Sequence, residues 1–152
     1  MARALALGAR GHRFKSCRPD QLANGTELIA NGIELNMFRF EELEIWKLAI
    51  TYAENIYELS KKFPVNENYN LTSQIKRAVL SISNNIAEGS GVATNKNFRS
   101  FLDISVSSAL ETVNLLHFAS RMNYISESER TSLYQDAEIL IKKTRAFKNS
   151  LK

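Results

Sequence analysis

From residue 41 onward the apolar positions recur at three- and four-residue intervals, and no stretch alternates as a half-buried strand would. The first such stretch predicts a helix from about Glu41 to Lys62, with Glu41, Glu42 and Glu44 at its positive end and Lys61 and Lys62 at the other. Leu43, Trp46, Ile50, Ala53 and Tyr57 form one stripe, read as the core stripe. Ile45, Leu48, Tyr52, Ile56 and Leu59 form a second stripe beside it. Together they span an apolar arc of about 200°, roughly twice what a helix in a small monomeric bundle needs. The second stripe is therefore expected to meet another copy of the chain.

Pro64 ends this helix, and Leu71 to Gly89 reads as the next one. Asn70 or Thr72 is the expected cap, and Gly89 is expected to end the helix in a left-handed conformation. Ile75, Ala78, Val79, Ile82 and Ile86 make its apolar face, opposite a polar row of Arg77, Ser81, Asn84 and Glu88. A third helix, capped by Thr94, runs to about Met122 with the core row Phe98, Leu102, Ser105, Ala109, Val113 and Leu116. A second row, Phe101, Ile104, Ser108, Leu115, Ala119 and Met122, again widens the apolar side. Ser126 and Glu129 form a capping box that opens a fourth helix, striped by Leu133, Ala137, Leu140, Thr144, Phe147 and Leu151. Four helices with short connections predict an all-α, antiparallel up-down-up-down four-helix bundle.

Residues 1–36 do not share this pattern. They hold four of the six glycines, one of the two prolines and the only cysteine, Cys17. Leu22–Leu28 is repeated at once by Ile29–Leu35, and each copy carries an Asn-Gly turn signal, so the repeat is no coiled-coil heptad. Gly11–Asp20 looks like a translated transfer-RNA 3′ end. The expectation is that Met37 is the true start and that residues 1–36 are spurious. The other reading is a disordered basic arm that could touch RNA.

Charge changes this picture only slightly. The chain carries +4, but residues 1–36 hold 5 of its 20 Lys and Arg and 3 of its 16 Asp and Glu, leaving 15 against 13 beyond them. One cysteine allows no intrachain disulfide or cysteine cluster, consistent with a reducing cytoplasm. No apolar run approaches the roughly 18 residues of a membrane span, and the leading segment is too short for a signal peptide.

Catalytic chemistry does not assemble. His117 is the only histidine of the body and lacks a metal-spaced partner, so it reads as a packing residue and no metal or cofactor is expected. Asp103 and Glu111 read as solvated carboxylates. Gly89-Ser-Gly91 lacks the preceding strand and lysine of a phosphate loop. No nucleophile, base and orienting group can be combined, so an enzyme is not expected.

Two features call for another explanation. Glu88 lies at the negative end of the second helix, and Asn84 and Asn85 are poor interior helix residues. They imply a partner cation such as Lys96 or Arg99, a network at a subunit interface, or a ligand. Basic candidates for RNA contact are Lys76 and Arg77, and Lys142, Arg145, Lys148 and Lys152, which share about 120° of the fourth helix. Lys143 is a further cation of the same helix. The competing reading is a solvated face whose cations complement the helix dipole.

Ser81-Ile-Ser-Asn-Asn-Ile-Ala-Glu-Gly89 resembles the signature Ser-Ile-Pro-Ser-Asn-Ile-Ala-Glu-Gly of bacterial four-helix-bundle proteins encoded in intervening sequences of large-subunit ribosomal RNA genes. The resemblance extends from Phe38–Trp46 through Leu71–Arg77 and Phe101-Leu102 to Asn123–Ile125, with Ser83 in place of the family's proline and Asn84 in place of its serine. It implies a bundle assembling as a ring-like homopentamer, related in fold to the basic accessory proteins of diversity-generating retroelements, which engage nucleic acid and a reverse transcriptase. Asn85, Glu88 and Gly89 match the signature, but no catalytic role comes with them. The resulting expectation is a cytoplasmic, non-enzymatic homo-oligomer that binds RNA or a ribonucleoprotein through basic faces. The alternative is a protein-interaction scaffold without nucleic-acid contact.

Overall fold

A computed structural model describes residues 38–152; the expectations about residues 1–36 and the start at Met37 lie outside the described residues. A 3-10 turn, Arg39–Glu42, leads into α1, Glu44–Ser60. A second 3-10 turn, Val65–Glu67, precedes α2, Leu71–Ser90, followed by α3, Asn95–Arg121, and α4, Glu127–Ser150. Every described element is helical. Among the described residues each helix packs on the next and α1 closes on α4, while the diagonal pairs α1/α3 and α2/α4 do not meet. That is a four-cornered bundle, with α2–α3 its most extensive seam.

Local chemistry sets the ends of the helices. The Thr94 side chain accepts from the Asn97 N–H, and Ser126 and Glu129 complete the expected capping box. Neither Asn70 nor Thr72 caps α2. Glu67 Oε2 instead accepts from the Leu71 N–H at 3.3 Å, and the Thr72 hydroxyl is buried without a partner. At the end of α3, Asn123 takes φ 58°, while the Asn123 and Tyr124 N–H groups reach back to Ser120 and Ala119. This is a Schellman close with Asn in the position glycine favours.

The stripe of α2 buries as expected, and that of α4 does so from Leu133 to Thr144 with Phe147 and Leu151 half-buried. On α1 the two stripes are largely exchanged, Ala53 being the residue of the expected core stripe that is buried. Ile45, Tyr52, Ile56 and Leu59 are 4 %, 2 %, 0 % and 7 % exposed, so they are core of a single chain and cannot form an interface between chains. Leu48 is half-buried on their flank. Trp46, Ile50 and Tyr57, expected in the core, are the half-buried ones. The cause is packing at two corners: α1 must cover both α2 and α4, and Ala49, fully buried between Ile45 and Tyr52, allows that side the closer approach. Phe40 tilts over Trp46 at 5.0 Å between ring centres, and Lys76 Nζ lies 5.0 Å from the Tyr57 ring centre, so Trp46 and Tyr57 of the other stripe are partly covered from within the chain.

Among the four helices, the exposed large apolar side chains are most numerous on α3. Ile104, Leu110, Phe118 and Met122 are each about half exposed. Ile104, Phe118 and Met122 are 14 and 4 residues apart, close to whole turns, and so share one face.

Candidate nucleic-acid interface

The antiparallel packing of α3 on α4 brings the first turns of α3 beside the last turns of α4. Between them lies a cleft of about 340 Å³ lined by Asn95, Lys96, Arg99, Ser100, Asp103, Lys148 and Lys152. Four cations thus face one side-chain carboxylate. Asp103 accepts from Lys148 Nζ at 2.5 Å, while Lys96, Arg99 and the Lys152 ammonium enter no ion pair among the described residues. The Asn95 amide donates to the Lys152 backbone oxygen at 2.7 Å, tying the two helix ends together. Ser105, two residues beyond Asp103 on α3, is buried and donates to the Ile82 carbonyl at 3.1 Å, which fixes α3 on α2.

The structure divides the cations singled out in the sequence. Lys148 and Lys152 enter the cleft. Arg145 is exposed one turn before Lys148, and Lys142 is held by Glu138 at 2.7 Å. Lys143 pairs with Glu44 of α1. Lys76 is half-buried over Tyr57, and Arg77 donates to Gln74 at 3.3 Å. Because α2 stands diagonal to α4, this pair joins no common surface with the α4 row.

Lys96 and Arg99 complete the cleft, although in the sequence they read only as partners for Glu88. A signal for them did exist. Lys96 lies in the first turn of α3, at its positive end, where a cation is disfavoured by a few tenths of a kcal/mol or more, and Arg99 follows one turn on. Glu88 itself is exposed and forms no ion pair among the described residues.

Of the remaining polar residues here, Ser81 and Asn85 enter a structural network, while Asn84 is exposed and makes no side-chain hydrogen bond among the described residues. Ser108 donates to the Ile104 carbonyl and lies 2.9 Å from the Ser81 hydroxyl, while the Asn85 amide donates to the Ser81 carbonyl at 2.7 Å and its hydroxyl at 3.0 Å. Gln74 donates to Glu111 across the same seam at 2.6 Å. Gly89 lies inside α2 and not at a left-handed end. A Cβ there would stand 2.5 Å from Phe98 Cδ2 and 2.8 Å from Phe101 Cβ, so the residue is glycine to let α3 approach. His117 is exposed, edge-on to Tyr134 at 6.1 Å, and is no core residue. Among the described residues no group of three or more His, Cys, Asp and Glu is placed to hold a metal ion.

Residues 41–146 match the 23S rRNA-intervening sequence protein family. The chain belongs to this family. The fold agrees: the chain is similar to the crystal structure of a protein of unknown function from the S23 ribosomal protein family of Bacteroides thetaiotaomicron, with TM-score 0.63 and 26% identity. That match covers 70% of this chain and 99% of the other. None of the curated proteins matches the chain. In this intervening-sequence protein the signature segment Ser81–Gly89 is therefore the α2 side of the α2–α3 seam: Gly89 permits the close approach, Asn85 and Ser81 knit the polar edge, and Glu88 faces solvent. No described helix is long and apolar enough to cross a membrane.

Proposed function

We propose that the protein is a non-enzymatic, self-associating bundle of the cytoplasm that binds RNA or a ribonucleoprotein through its basic surface. The observation that carries the reading is the α3–α4 cleft, where Lys96, Arg99, Lys148 and Lys152 face one side-chain carboxylate. Such a concentration of like charge is unfavourable alone and favourable against phosphates, which release counterions when neutralised. Self-association multiplies the effect, because each copy adds a cleft. The half-exposed Ile104, Phe118 and Met122 face supports association, in place of the α1 stripe.

Fluorescence anisotropy with a structured RNA tests the reading. Binding at about 50 mM salt that weakens at least tenfold by about 200 mM is expected, and no binding at the lower salt overturns it. An RNA-inert protein that still self-associates would leave the interaction-scaffold alternative.

A further inference from the structure

Resting on that reading, we infer that the α3–α4 cleft is a phosphate-only site. It grips two or three successive phosphates of a single strand, makes no base contact, and is held partly closed by Asp103. The lining carries the argument. Every side chain that faces the cleft is charged or a short polar group and none is aromatic, so the one planar group available to a base is the Arg99 guanidinium, whose charge is matched by phosphate. Bases are read by planar stacking or by paired donors and acceptors at their edges; phosphates need only cations and N–H groups. Lys96, Arg99 and Lys152 have no ion-pair partner among the described residues, so each is available without breaking a contact.

The volume sets the scale. About 340 Å³ lies at the small end of ligand sites and holds a short run of phosphates, whereas a duplex would touch only the rim. The Asn95 amide bonded to the Lys152 backbone keeps the two walls together before any ligand arrives. Asp103 acts against the anion. Its carboxylate takes Lys148 Nζ at 2.5 Å, removing one cation from the cleft and repelling phosphate directly.

This gives a sign that damage to the fold cannot imitate: removing the one side-chain carboxylate strengthens binding. Full-length protein is titrated at about 50 mM salt with a fluorescent 12-nucleotide uridine strand, its adenosine counterpart, and inorganic tripolyphosphate by calorimetry. Asp103→Asn is expected to tighten each by about threefold, since the carboxylate is exposed and its effect screened. Lys96→Ser with Arg99→Ser is expected to weaken each on the order of tenfold or more and to reduce the salt slope by about 1.4, the share of two phosphate contacts on a single strand. Lys142→Ser, whose cation is already taken by Glu138, is expected to stay within about twofold.

Unchanged or weaker binding by Asp103→Asn overturns the inference, as does a preference above about tenfold between the two strands. If the strands bind but ignore both the Asp103 and the Lys96/Arg99 variants, the RNA reading stands and the cleft assignment fails. Tripolyphosphate binding that follows both variants while RNA does not bind supports the cleft and ends the RNA reading.

Discussion

At the scale of single residues, Gly89 and Tyr52 set opposite effects against each other. An alanine at 89 gains about 1 kcal/mol of helix propensity over glycine. It also drives a methyl to 2.5 Å from the Phe98 ring and 2.8 Å from Phe101 Cβ. Phe98 is buried and edge-packed on Phe147 at 5.7 Å, and a Cβ moves only with its backbone, so α3 itself must shift. Overpacking of this kind costs about 1–3 kcal/mol, and here no flexible side-chain end can absorb it. Gly89→Ala is therefore expected to lower stability in urea unfolding by about 1–2 kcal/mol; an unchanged or raised midpoint would show that the seam has slack. Tyr52 runs the other way. Its hydroxyl is buried without a hydrogen-bond partner, and burial, with Asp136 adding repulsion, pushes its pKa well above the usual phenol range. Tyr52→Phe removes an unsatisfied polar group and keeps the ring, so it is expected to be neutral or to stabilise by up to about 1 kcal/mol. A loss above about 1 kcal/mol in the same unfolding measurement would mean that the hydroxyl has a partner.

At the scale of elements, the start of α4 is a pH-sensitive joint. Hydrogen bonds from Lys62, just beyond the end of α1, then from the Ser126 backbone and hydroxyl, hold the Glu129 carboxyl down at about 2. Arg130, then Ser120, hold Glu127 below its ordinary range. Between pH 2 and 4.5 the unfolded chain binds more protons at Glu129 than the folded one does, so stability rises with pH across that window. The contribution is complete above about pH 4.5, the ordinary value, and is lost as pH falls toward 2. Glu129→Gln retains a capping-box side chain while abolishing the titration, so its melting temperature should fall less steeply between about pH 5 and 2.5. Identical slopes for variant and wild type would assign the acid sensitivity elsewhere. This cap was legible in the sequence because Ser126 and Glu129 act over three residues. The faces of α2 and α4 were legible for the same reason: one stripe against a polar row leaves one solution. On α1 two apolar stripes lie side by side, and periodicity gives the angle between them but not which one the neighbours cover. Gly89 was misplaced because left-handed backbone and close approach call for the same residue. The cleft was half visible. Lys148 and Lys152 stood in a row on one helix, but Lys96 and Arg99 join them only through the packing of α3 on α4.

At the scale of the whole molecule, the question is where copies of the chain would meet. Association through Ile45, Tyr52, Ile56 and Leu59 would require the bundle to open, because these side chains are its own core. The α3 face carries no such penalty: Ile104, Phe118 and Met122 already stand half in water and gain by being covered, at about 25 cal/mol per Å² of apolar area. Two substitutions separate the sites. Phe118→Ser with Met122→Ser is expected to convert an oligomer to monomer by light scattering, while helix content is kept and stability changes by about 0.5 kcal/mol or less, as at exposed positions generally. Ile56→Ser is expected to cost about 3–5 kcal/mol by leaving a cavity and an unpaired hydroxyl in the core, and so to lose the fold together with any assembly. A wild-type chain that scatters as a monomer at tens of micromolar would end the self-association proposal. An oligomer untouched by the α3 substitutions would move the interface to another surface, with the half-exposed Tyr134 and Ile139 of α4 the next to test.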